Sequence, residues 1–69
     1  MENSAQKFRD LRVSKKIKRC DLSRDSGVSL PQITNIEKGR IRYPQVITLA
    51  KLSKALGCEF EVLYKIFYE

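Results

Sequence analysis

Ala5, Phe8 and Leu11 recur three residues apart, with Lys7, Arg9 and Asp10 among them. An apolar stripe of that period on a charged background predicts an amphipathic helix over about 4–15. A basic connector, SKKIK at 14–18, follows with Ile17 as its one apolar anchor. In RCDLSRDS Leu22 turns inward, and Gly27 can take the left-handed conformation on which helices commonly end. A short second helix is therefore predicted over about 19–26.

Ser29 is a good N-cap, and Gln32 three residues later completes an S-x-x-Q capping box. Pro31 falls in the first turn, where its missing N–H has no helical partner to lose. Ile33 and Ile36 point inward and Gly39 stops the helix, giving a third element at about 30–38. The basic loop GRIRYP leads to Pro44. Val46, Leu49, Leu52 and Leu56 then mark a fourth helix over about 45–56, ended by Gly57. Phe60, Leu63 and Phe67 mark a fifth over about 59–68. No segment alternates with period two, and no repeat or linker interrupts the chain. The expectation is one all-α domain over residues 1–69, with five helices and short connections packed as a single compact unit.

Composition sharpens this picture in two ways. At 69 residues, 42% hydrophobic and 32% charged, the chain suits a small folded domain rather than a disordered segment. Such a domain buries only about 60% of its unfolded surface. The net charge is +6, and residues 1–42 hold eleven of the fourteen cations but only five of the eight acids. A one-sided basic excess is the footprint of a polyanion binder; the plainer reading is a solvated, lysine-rich surface.

The candidate chemistry is mostly exclusion. There is no histidine, and Cys20 and Cys58 form no C-x-x-C pair. Structural zinc needs about four ligands, so no metal site is expected, and no cofactor either. The two thiols are expected to stay reduced. No carboxylate pair or phosphate-binding glycine loop points to an enzyme. No apolar run reaches the ~18–20 residues of a membrane span, and no signal-peptide core begins the chain, so a cytoplasmic, nucleoid-associated protein is expected.

Helix, Gly-Val-Ser turn and capped short helix together form a helix-turn-helix, whose second helix enters the DNA major groove. The run LSRDSGVSLPQITNIEKG, followed by Pro44 and VITLAKLSKALG, resembles the lambda-repressor/Cro-like helix-turn-helix family, also called the XRE family. Leu22, Gly27, Val28, Ser29, Ile33, Ile36, Glu37, Gly39, Pro44, Leu49, Leu52, Ala55, Leu56 and Gly57 match its pattern in register. The likeness covers about 8–64 and implies a five-helix lambda-repressor-like domain with the motif in helices 2 and 3.

Several positions depart from the family pattern. Ser23 replaces the usual alanine, and Lys18 replaces the Ser or Thr that caps helix 2. A lysine cannot accept a backbone N–H bond, so that helix is expected to start without a side-chain cap. Arg19 stands where the family often has a phosphate-binding glutamine. Leu30 and Pro31 are unusual at the front of the third helix.

The resemblance implies a double-stranded DNA partner. Leu30, Pro31, Gln32 and Asn35 are the candidate base readers: the amides can pair with adenine, and the apolar groups can meet a thymine methyl. Arg19, Ser29, Thr34, Lys38, Arg40 and Arg42 are candidate phosphate contacts. Gln32 has a second reading in the capping box, Leu30 one in packing against helix 2 or another protein, and the loop arginines one as solvated side chains. Arg12 and Glu37 correspond to the family's buried ion pair tying helix 1 to helix 3, with DNA contact the minority reading for Arg12.

A self-complementary patch is expected from Ile47, Cys58, Val62, Tyr64, Ile66 and Tyr68, making a homodimer. The functional expectation is a sequence-specific transcriptional regulator, a small repressor or controller on a palindromic operator. An antitoxin or protein-interaction module of the same fold is the alternative. No small-molecule ligand is expected, because no sensor segment follows the helices.

Overall fold

In the computed structural model, which describes residues 3–69, the chain folds into α1 (Ser4–Ser14), α2 (Arg19–Ser26), α3 (Leu30–Glu37), α4 (Val46–Leu56) and α5 (Phe60–Tyr68). Among the described residues there is no strand. Met1 and Glu2, part of the expected single domain, lie outside the described residues. The fold is the all-α, five-helix architecture that the apolar spacing predicts.

Local chemistry places the helix ends. Asn3 caps α1 by accepting the Gln6 N–H at 3.0 Å, and Ser29 caps α3 by accepting the Gln32 N–H at 3.3 Å. Lys18, at the N-cap of α2, makes no side-chain cap bond. Gly27 and Gly57 end α2 and α4 with φ of 77° and 72°. No atom lies within 4 Å of a Cβ built on Gly27, so it is the left-handed backbone, and not crowding, that asks for glycine there.

α1 packs on α3 and α5, α2 on α3 and α4, and α4 on α5. Their shared interior holds Phe8, Leu22, Val28, Ile33, Ile36, Leu49, Leu52, Leu56, Leu63 and Phe67. The Phe8 and Phe67 rings meet at 5.8 Å between centroids, joining the two ends of the chain across the core. Ser4 Oγ donates to the Ile66 carbonyl at 2.8 Å, and the Tyr68 hydroxyl donates to the Pro44 carbonyl. These bonds tie α5 to α1 and to the loop before α4.

One predicted core position is corrected. Val46 is 53% exposed. The inward face of α4 instead runs through Thr48, Leu49, Leu52, Ser53 and Leu56, and Val46 at the first helical position lies outside it. Two small polar residues thus sit in the interior, and Ser53 is satisfied by the Ala50 carbonyl at 2.9 Å.

Candidate nucleic-acid interface

The turn between α2 and α3 is held by two serines on one backbone unit. Ser23 Oγ donates to the Val28 carbonyl at 2.7 Å, and the Val28 N–H donates to Ser26 Oγ at 3.1 Å. Val28 itself is buried. Both backbone groups of a residue that cannot reach water are therefore paired, as a buried turn requires. The departure to Ser23 has a use that an alanine could not supply.

From this turn α3 emerges with Ile33, Ile36 and Glu37 buried and with Leu30 and Pro31 exposed. Gln32, Thr34 and Asn35 are half-buried along its flanks. Only half of the expected capping box forms. Ser29 accepts from the Gln32 backbone, but the Gln32 amide reaches Thr48 Oγ of α4 at 3.5 Å, the limit of a hydrogen bond. Thr48 is buried beside it, so the Gln32 side chain braces α3 against α4.

Asn35 organises the exit of α3. Its carbonyl accepts the N–H groups of Arg40 at 2.9 Å and Ile41 at 3.3 Å, folding the basic loop back onto the helix. Arg40 Nη1 then lies 3.4 Å from Asn35 Oδ1. The Asn35 NH2 group makes no hydrogen bond among the described residues. A carbonyl oxygen has two lone pairs, so Oδ1 keeps room for a second donor beside Arg40. Lys38 is exposed at the end of α3. Arg42 is exposed too, and it lines a shallow groove with Ser4, Tyr43, Ile66 and Glu69.

Beneath this surface lies a three-residue ion cluster. Glu37 has a fully buried side chain; Arg12 Nε and Nη2 donate to its two oxygens at 2.5 and 3.1 Å. Arg12 Nη1 donates to the Ile17 carbonyl at 2.7 Å, joining the connector to the cluster. Lys16, with φ of 59°, makes the left-handed bend just before Ile17. Arg19 Nε also donates to Glu37 Oε1, at 2.9 Å. The family resemblance pairs Glu37 with Arg12 alone and sets Arg19 among the phosphate contacts; the structure brings both arginines to Glu37. Arg19 and Glu37 are eighteen positions apart, and nothing local signals their contact.

A family model described as helix-turn-helix matches residues 8–63. The chain belongs to the lambda-repressor/Cro-like helix-turn-helix family. In this helix-turn-helix chain the match runs from within α1, through α2, α3 and α4, into the first turn of α5. Over 99% of its length it is 36% identical to the HTH-type transcriptional repressor RghR of Bacillus subtilis (strain 168). The chain spans about half the length of that relative, 51%. No solved structure matches the chain significantly.

The expected dimer residues are distributed unevenly over this helix-turn-helix domain. Val62, Tyr64 and Tyr68 are exposed on α5. Ile66 and Cys58 are not free surface: both are half-buried and pack against the core. Burial also pushes the Cys58 thiol up, which keeps it protonated. Ile47 is exposed on α4, on the same face as Lys51 and Lys54.

Aromatic rings of α5 and the loop before α4 join into a ladder. Phe60–Tyr64, Tyr64–Tyr68 and Tyr68–Tyr43 stand at 5.8, 5.1 and 5.7 Å between centroids. Residues 60, 64 and 68 share one face of α5 through their i, i+4, i+8 spacing. The fourth ring, Tyr43, arrives from the loop.

Proposed function

We propose that the chain is a sequence-specific, double-stranded DNA-binding transcriptional regulator, a small repressor or controller that works in the cytoplasm, on the nucleoid, as a homodimer on a palindromic operator. The presentation of α3 carries this reading: Leu30 and Pro31 are exposed, the Asn35 amide keeps open hydrogen-bonding capacity, and Lys38 and Arg40 stand at the helix exit. A helix of this kind reads base edges, while cations at its margins meet phosphates and set register. Leu30 and Pro31 suit a thymine methyl, and Asn35 suits adenine. Ser29, Thr34 and Arg42 complete the proposed phosphate margin, with Gln32 acting chiefly as the brace to α4.

Binding strength across salt tests the assignment. On a mixed-sequence duplex, log K should fall with log salt at about 0.9 per phosphate contacted. Arg40→Ala and Arg42→Ala should each flatten that slope by about one phosphate and weaken binding to all duplexes alike. An unchanged slope in both variants would remove the loop from the interface.

Two copies on two half-sites one helical turn apart need a self-complementary surface. The outer face of α5 is the proposed one. Val62 and the pair Tyr64 and Tyr68 flank an exposed ridge of Glu61 and Lys65, whose opposite charges can pair across a two-fold axis. Val62→Asp changes an exposed position and should convert dimer to monomer in sedimentation equilibrium while the helical signal persists. A wild-type chain that stays monomeric at high concentration, alone and on DNA, would rule this surface out.

A further inference from the structure

The buried cluster differs in what it leaves available to solvent. Arg12 is engaged through all three of its nitrogens, and its side chain is only 10% exposed, so it presents little to a ligand. Arg19 is held only through Nε, and its side chain is 35% exposed. Its two terminal nitrogens, with four N–H donors, make no hydrogen bond among the described residues. Arg19 is also the first residue of α2, the helix that crosses the phosphate backbone in this motif.

We propose that Glu37 is a positioning residue for phosphate binding: from the interior it grips Arg19 by Nε and so fixes the terminal fork of that guanidinium toward a backbone phosphate at the start of α2. This rests on the DNA-binding reading above and adds to it. A flexible arginine must lose rotamer freedom on meeting a phosphate; one already gripped at Nε has less to lose, and its planar fork can meet two phosphate oxygens at once. The cluster is one carboxylate between two guanidiniums, so it carries a net positive charge even with Glu37 ionised. That carboxylate also accepts from Arg12, which roots the fork in the contact between α1 and α3.

The proposal makes a prediction opposite in sign to simple electrostatics. Removing an acid near DNA should strengthen binding if only charge matters; here it should weaken it, because Arg19 loses its grip. Affinity for a mixed-sequence duplex is read by fluorescence anisotropy across salt, at a temperature where circular dichroism shows each variant folded. Arg19→Ala should lose about tenfold in affinity and about 0.9 in salt slope. Arg19→Lys leaves Glu37 and Arg12 untouched and keeps the charge, but one ammonium cannot hold Glu37 and present a fork. It should lose nearly as much affinity as Arg19→Ala. Glu37→Gln should weaken binding in the wild-type background but not in the Arg19→Ala background.

An Arg19→Lys protein within about twofold of wild type would overturn the proposal, since charge alone would then suffice. Equal weakening by Glu37→Gln in both backgrounds would overturn it as well, by making the effect structural. Should Glu37→Gln fail to fold, the Arg19→Lys comparison decides. A wild-type chain with no salt-dependent affinity for duplex DNA is a separate outcome, and it would overturn the DNA-binding reading itself.

Discussion

Glu37→Ala is expected to cost about 3–5 kcal/mol of folding stability, the usual result of removing one partner from a buried ion pair. The loss falls on two arginines at once. Arg12 would keep only the Ile17 carbonyl, with its side chain nine-tenths buried and its charge without a counterion. Arg19 can swing to solvent, so its share is small. A domain of this size has a total stability of roughly 3–10 kcal/mol. The variant should therefore unfold at a melting temperature lower by on the order of 15–30 °C, or be largely unfolded already at room temperature. Thermal unfolding followed by circular dichroism measures this directly. A melting temperature within a few degrees of wild type would mean that Arg12 finds another partner and that the cluster is not a structural joint. The large effect belongs to breaking the cluster, and it does not make the intact ion pair a net source of stability against an apolar replacement.

Asn35→Ala is expected to cost about 1–3 kcal/mol per half-site on the preferred operator and little on random DNA. The proposed homodimer would present the residue twice, so on a two-half-site operator the loss would double. The structure also explains why alanine is a fair probe here. The loop is folded onto α3 through the Asn35 backbone carbonyl, which the substitution keeps. Only the long contact to Arg40 Nη1 is lost within the protein. The operator has first to be selected from random duplexes; affinities for that site and for an unrelated duplex are then compared at one salt concentration. Equal losses on both would reassign Asn35 from base reading to holding Arg40 for a phosphate.

The order and extent of the helices were legible in the sequence because the features that place them are local. Apolar residues three and four apart, the Ser29 cap, and the glycines at 27 and 57 act within one turn of the positions they define. The five helices accordingly stand within about a residue of where the pattern puts them. The match of Glu37 to Arg12 was legible as well, though only through resemblance, because nothing local relates residues twenty-five apart.

Tertiary structure decided which partner each polar group takes. Gln32 sits where a capping box expects it, yet its amide goes to Thr48, because the fold brings a hydroxyl of α4 within reach. Val46 fits an apolar stripe yet faces water, while Thr48 and Ser53 lie inside. Ile66 looked like surface by spacing but is packed against the core, and Tyr43 joins the α5 ladder from a loop. Arg19 looked like a free cation but is gripped by a carboxylate from another helix. Periodicity along one helix records which face turns inward; what that face meets depends on the angle and register at which another helix crosses it, and those are set by packing among residues far apart in the chain.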